Sequence, residues 1–216
     1  MSEIITTYKL DDLEQPVPMD RDEFYDEQIR VFKETGKPTR VTANVQVLIF
    51  TPSKDIILQK RSYDKRHNSG LIDKTMGGHI KFGDSPSYTV MLETLQELNV
   101  PSIITLDADE FNKTYKLLKD HLNVTAVIQF IESCVINAEK IFNDEKILIG
   151  NKYNFYLGVY NGALKPADRE AAGLLFVPYD KIQHEINRAS ESYTSDIKFF
   201  LSKYAKEIDD FLKCFG

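Results

Sequence analysis

The segment from Gly77 to Val100 constrains this chain most. Gly77, Gly78 and Gly83 leave stretches of backbone bare of side chains, and Ser85-Pro86 follows them. Ser85 can cap a helix through its hydroxyl. Pro86 at the first helical position gives up an N–H that has no helical partner there. Tyr88, Met91, Leu92, Leu95 and Leu98 recur at helical spacing and are expected to form a buried stripe. On that register Glu93, Gln96 and Glu97 fall on the other side, with Glu93 and Glu97 one turn apart. Paired carboxylates beside an open glycine backbone suit a hard divalent cation, which takes oxygen ligands and keeps water for substrate phosphates. The alternative is an ordinary solvated acidic face.

The rest of the chain narrows the field. Its 216 residues, 42% hydrophobic, suffice for one sizeable core. The net charge of −6 comes without a dense Lys/Arg patch, which argues against nucleic acid as a partner. No apolar run reaches the roughly 20 residues of a membrane span. The beginning, MSEIITTYKL, lacks the basic and apolar regions of a signal peptide. Cys134 and Cys214 show no metal-ligand or redox spacing and fit reduced thiols, so a cytoplasmic location is expected.

Periodicity predicts mixed secondary structure. Residues 3–10 alternate like a strand, and the proline-containing 11–20 reads as a loop. Asp22–Glu34 reads as a short helix ended by Gly36 and Pro38. Arg40–Thr51 is the clearest strand and forms a hairpin with Ile56–Arg61. Ser62–Ser69 reads as a polar, basic loop, and Gly70–Met76 as a short strand. Further strands are expected at 103–106, 124–131, 147–160 and 173–177, with a charged turn at 139–145. Helices are expected at 107–121 and 178–188. A long amphipathic helix is expected over Ser195–Phe215, its stripe of Ile197, Phe200, Leu201, Tyr204, Ile208, Phe211 and Leu212 serving core packing or, alternatively, dimerisation. This order argues for a sheet layered between helices. The glycine pattern is neither a Rossmann fingerprint nor a Walker loop.

The segment Ile56–Val100 resembles the Nudix hydrolases, and more narrowly the branch related to isopentenyl-diphosphate isomerase. Gly78 takes the opening glycine of the Nudix box, Asp84 its first Glu, Leu92-Glu93 its Arg-Glu, Gln96-Glu97 its Glu-Glu, and Asn99-Val100 its closing Gly-aliphatic pair. Leu58–Ser62, Asp64-Lys65, Gly70-Leu71 and Gly77-Gly78-His79 match the usual lead-in of that branch. The resemblance implies an α+β fold, a Nudix-type α/β/α sandwich with a mixed sheet. It implies one domain over 1–216: an N-terminal extension (1–38), a core (39–188) and the C-terminal helix (195–216). The box departs from the family at Asp84, Leu92, Gln96 and Asn99. Leu92 removes the arginine that pairs with the loop acid, and Gln96 makes one metal ligand neutral.

What the resemblance implies for function follows. Isomerase chemistry needs a cysteine where Gly77 stands and a glutamate where Gly150–Tyr153 offers none, so hydrolysis is the expectation. Gly77 (through its carbonyl), Glu93, Gln96 and Glu97 would hold Mg²⁺ or Mn²⁺, with Glu93 and Glu97 as catalytic carboxylates. Arg40, Arg61, Lys65 and His79 would contact the substrate, a nucleoside diphosphate linked to another moiety. Glu132, Glu139, Glu145 and Glu170 are candidates for a distal base by residue type alone. A homodimer is common in such proteins. The departures in the box motivate a rival reading, a non-catalytic Nudix-fold protein that binds a nucleotide or a protein partner.

Overall fold

A computed structural model of the protein describes residues 3–166 and 171–215. Ten strands form one mixed sheet. The N-terminal part supplies β1 (Ile4–Lys9), β2 (Asp12–Asp20) and α1 (Arg21–Thr35). Then come β3 (Arg40–Phe50), β4 (Asp55–Arg61), β5 (Ile72–Asp73), β6 (Met76–His79) and α2 (Pro86–Leu98). They are followed by β7 (Ser102–Thr105), α3 (Ala108–Leu118), β8 (Ala126–Phe142) and β9 (Glu145–Val159). The chain ends in β10 (Ala171–Pro178), α4 (Tyr179–Arg188), α5 (Ser195–Lys203) and α6 (Ala205–Leu212). The main path through the sheet is β10-β4-β3-β9-β8-β7, with β6 paired to β3, β5 to β4 and β1 to β3. The pairs β3–β9 and β7–β8 are parallel and the others antiparallel.

β3 explains the layering. Its odd positions Val45, Val47 and Ile49 join one apolar cluster with Val90 and Leu98 of α2. Its even positions Leu48 and Phe50 join another with Phe111 of α3 and the buried faces of α4, α5 and α6. Both faces are therefore covered, which is why the run reads as continuously apolar. Further along the second face, however, β3 presents Asn44 and Gln46. There the core gives way to a cleft.

Several expectations change. The 11–20 segment is strand β2, because Pro16 and Pro18 lie on an edge strand paired only with β1, where a missing N–H costs little. The N-terminal extension is therefore part of the sheet. The charged turn shrinks to Asn143-Asp144, both at positive φ, and joins two long strands. The first half of the glycine segment, Gly77-Gly78-His79, is strand β6. The C-terminal helix breaks at Tyr204 (φ −107°) into α5 and α6. Its apolar stripe is buried in the core, which leaves none of it for dimerisation.

The predicted buried stripe of α2 is also rotated. Tyr88, Met91 and Leu95 are exposed, whereas Thr89, Val90, Thr94, Glu97 and Leu98 are buried. The helix turns its acidic face inward, against β6. Ser85 caps it, accepting from the Tyr88 N–H at 3.2 Å, with Pro86 next. Asn99, where the resemblance has glycine, closes the helix in the left-handed conformation at φ 55°. Asparagine adopts that conformation more readily than other residues with a Cβ, so this departure preserves the turn. No helix among the described residues is long and apolar enough to cross a membrane.

Candidate functional site

A cleft of about 450 Å³ opens where the second face of the sheet turns polar. Its base is Asn44 and Gln46 of β3, Gln59 and Arg61 of β4, and Asn151 and Tyr153 of β9. One wall is β6 and α2, which present Gly77, Gly78, His79, Glu93 and Gln96. The opposite wall comes from α1 and the 62–69 loop. The lining holds six Lys/Arg side chains against four carboxylates, in a chain whose net charge is −6. The cleft thus concentrates positive charge on an acidic protein, a potential that favours anions.

The glycines have a steric reason at this wall. A Cβ on Gly78 would lie 2.0 Å from Glu93 Oε1, so the bare backbone seats the carboxylate. A Cβ on Gly77 would lie 2.6 Å from the Val45 carbonyl oxygen and 2.6 Å from Lys74 Cε. Gly77 therefore admits the Lys74 stem, and Gly78 admits Glu93.

Six of the residues expected from the sequence come together here: Gly77, Glu93, Gln96, Arg61, Lys65 and His79. Glu97 does not line the cleft. It is 4% exposed and belongs to the face of α2 that carries Val90 and Thr94. Arg40 lies elsewhere, beside a shallower hollow of about 580 Å³ bounded by Val17, Asp20 and Glu23. Its Nε donates to Glu27 of α1 at 3.1 Å, so it secures the N-terminal helix rather than the cleft. The distal carboxylates Glu132, Glu139 and Glu145 pair with Lys203, Lys146 and Lys33 and line no part of the cleft. Glu170 lies outside the described residues.

The lining residues of α1 carried no sequence signal. α1 brings Arg21, Asp22 and Tyr25. Tyr25 Oη sits 3.1 Å from His79 Nε2 and 3.4 Å from His67 Nε2. The Arg66 guanidinium lies 5.5 Å from the centre of the Tyr25 ring. Burial pushes the Tyr25 hydroxyl up to about 12, so it stays protonated and donates to one imidazole while accepting from the other. Burial, reinforced by Arg21, Lys140 and Lys74, brings His79 down to about 3. Burial and Lys140 hold His67 well below its ordinary range. Both imidazoles are therefore neutral hydrogen-bonding groups at pH 7.

This has a consequence for stability. In the unfolded chain each histidine protonates near pH 6.5, whereas in the folded protein it does not until far lower. As pH falls below about 6.5 the unfolded state binds protons that the folded state refuses, and stability drops. Each imidazole held neutral should contribute a slope approaching 1.4 kcal/mol per pH unit, roughly, down to its folded pKa. Urea denaturation at about pH 7 and about pH 5 should show this loss, and His79→Gln should reduce it. An unchanged slope in that variant would show that His79 is not held neutral.

Beneath the cleft lies a buried ionic network. Asp73 Oδ2 accepts from Lys74 Nζ at 3.0 Å and from Arg61 Nη1 at 3.3 Å, and Asp73 Oδ1 accepts from the Thr194 hydroxyl at 2.7 Å. Asp196 of α5 pairs with Lys140 of β8 and accepts from the Tyr153 hydroxyl at 3.0 Å. The two lysines and Arg61 hold the Asp73 carboxyl well below the usual carboxylate range despite its burial.

Among the described residues no three His, Cys, Asp or Glu side chains converge to enclose a metal ion. What the wall offers is the Glu93 carboxylate seated on Gly78, the amide oxygen of Gln96 one turn on, and the glycine backbone. That donor set fits a divalent cation that retains much of its water.

No protein-family model and no curated protein sequence matches the chain. Solved structures do. A protein of Deinococcus radiodurans is 13% identical, with 93% of this chain covering 98% of that one at a TM-score of 0.60. A bifunctional NMN adenylyltransferase/ADP ribose pyrophosphatase of Francisella tularensis, solved with AMP and a manganese ion, is 12% identical. There, 87% of this chain covers 47% of that one at a TM-score of 0.50. A hydrolase of the NUDIX family from Clostridium perfringens is 14% identical over 66% of this chain and 85% of that one, with a TM-score of 0.43. The fold is the Nudix-type α/β/α sandwich with a mixed sheet.

Proposed function

We propose that this protein is a divalent-metal-dependent pyrophosphohydrolase acting on a nucleoside diphosphate linked to another moiety. The observation that carries the reading is the Glu93 carboxylate seated on Gly78 in the wall of a cationic cleft. Glu93, Gln96 and the Gly77 carbonyl would hold the cation, Mg²⁺ or Mn²⁺, with Glu97 behind them in the helix. Bound there, such an ion neutralises diphosphate charge and acidifies a coordinated water. The chain's own residues do the rest. Lys65 holds oxygens of the diphosphate, Arg61 binds the substrate at the floor of the cleft, Tyr25 fixes the neutral His79 at the wall, and Glu93 is placed to accept a proton from an attacking water. Gly77-Gly78-His79 and the lead-in over Leu58–Ser62 support placement near the isopentenyl-diphosphate isomerase branch. Gly77 in place of its cysteine supports hydrolysis over isomerisation.

The sparse donor set supports a second reading, a Nudix-fold protein that binds a nucleotide without splitting it. The experiment separating the two is turnover with Mg²⁺ or Mn²⁺ against ADP-ribose, NADH, diadenosine polyphosphates, nucleoside triphosphates and prenyl diphosphates. Hydrolysis of a nucleoside diphosphate linkage, abolished by chelation, is the expected result. Binding without release of any product would overturn the enzymatic reading.

A further inference from the structure

We infer that the floor of the cleft is a separate anion seat, built from Lys74, Lys140 and Arg61, which takes a phosphoryl group carried by the substrate in addition to its diphosphate. The substrate clause rests on the pyrophosphohydrolase reading; the seat itself does not.

Three observations lead to it. The first is charge. Lys74, Lys140 and Arg61 are 5, 6 and 8% exposed and all line the cleft. Their buried partners are two carboxylates, Asp73 and Asp196. Against the carboxylates they pair with, the three cations leave an excess of one positive charge at low exposure, which an anionic ligand would offset.

The second is unmet hydrogen bonding. Arg61 donates through Nη1 to Asp73 and through Nη2 to the His67 carbonyl, but its Nε has no hydrogen-bond partner among the described residues. Gln46 is 4% exposed, and its Oε1 likewise has no partner among the described residues. A phosphoryl group answers both. Its oxygens accept from Arg61 Nε and the two ammonium groups, and a protonated phosphate oxygen or an adjoining sugar hydroxyl donates to Gln46 Oε1.

The third is rigidity. Lys140 Nζ is fixed by Asp196 and lies 3.4 Å from Tyr153 Oη. Lys74 Nζ lies 3.0 Å from Asp73 and 3.9 Å from Asp196. The cations are thus positioned before any ligand arrives, which favours binding. The depressed pKa of the neighbouring His67, caused by burial and then by Lys140 and Arg61, agrees with a positive potential at this end.

The test uses inorganic phosphate and calorimetry on the full chain in metal-free buffer, so neither turnover nor the proposed cation is involved. Lys74→Met should weaken binding at least about tenfold, because it cancels the net charge. The variant should fold, since Asp73 keeps Arg61, Thr194 and the N–H of residue 74. Gln46→Glu, which places a carboxylate in the seat, should weaken binding as much. Lys113→Met removes an exposed charge elsewhere and should change nothing. Wild-type affinity in either folded seat variant, or no phosphate binding at millimolar concentration, would overturn the seat. Paired substrates with and without an extra phosphate monoester, compared by KM or by calorimetric affinity, test its substrate role. A preference for the monoester that Lys74→Met erases supports that role, whereas phosphate binding without it would overturn the role and leave a site for free phosphate. If phosphate binds but no diphosphate is hydrolysed, the seat stands and the pyrophosphohydrolase reading falls.

Discussion

Replacing Glu93 with glutamine is expected to leave about a thousandth or less of the metal-dependent turnover, while the protein keeps its fold. The substitution preserves shape and removes the only carboxylate that α2 presents to the cleft. On the proposed reading it takes away both a charged cation ligand and a proton acceptor. Loss of an acid–base group alone typically lowers rates by about 10²–10⁴. A second variant probes the same carboxylate without altering it. Gly78→Ala would bring a Cβ 2.0 Å from Glu93 Oε1, and the tip of a flexible side chain moves more readily than backbone. Displacement by about 1 Å at a reacting group costs on the order of 10²-fold. Gly78→Ala should therefore fold and lose most activity. Gly77→Ala meets the Val45 carbonyl and should lose stability first. Initial rates with Mg²⁺ and urea midpoints for all three variants check these expectations. Full activity in Glu93→Gln would show that the catalytic wall lies elsewhere.

The largest effect on stability is expected at Asp196, far from α2 in sequence. Asp196 is 1% exposed and pairs with Lys140, which is 6% exposed. Asp196→Ala leaves that ammonium buried with only the Tyr153 hydroxyl and adds a small cavity. Breaking a buried pair from one side costs about 3–5 kcal/mol. Replacing both partners, as in Lys140→Met with Asp196→Leu, should recover most of the loss, because the desolvated charges go together. Denaturant unfolding of the two variants measures this. A loss below about 1 kcal/mol in Asp196→Ala would mean that water reaches the pair and screens it, as it does for exposed ion pairs.

How much of this was legible in the sequence depended on distance along the chain. Glu93, Gln96, Gly77 and His79 could be grouped because a strand, a turn and a helix within one short segment fix them relative to each other. Arg61 and Lys65 came with the resemblance, whose lead-in covers Leu58–Ser62 and Asp64-Lys65. Arg40 was misplaced because it shares β3 with Asn44 and Gln46 but lies beyond them, at the end held by Glu27. Tyr25, Lys140 and Asp196 reach the site only through long-range pairing, and no local pattern marks them. Two signals were present. Asn44 and Gln46 interrupt the most apolar strand at alternate positions, which marks a polar patch on one face. Lys74 stands in Gly70–Met76, which reads as a short strand, directly after Asp73, an adjacent opposite charge that hints at a pair. The α2 stripe misled because apolar periodicity identifies a helix without saying which face points inward. Here Glu93 and Glu97 decided it.

The network under the cleft joins parts of the chain that are made at different times. Arg61 is on β4, Lys74 follows β5, Lys140 is on β8, and Asp196 is on α5. A chain emerging N-terminus first holds Lys140 before α5 exists to supply its partner Asp196, whereas Lys74 has Asp73 beside it in sequence. Until then the Lys140 ammonium has no carboxylate partner and stays in water. The Lys140–Asp196 part of the floor is therefore assembled only once α5 is present. Contacts this distant in sequence also slow folding relative to local ones. A copy lacking α5 would carry the sheet without the Asp196 side of that floor, so the proposed anion binding would report that α5 has docked.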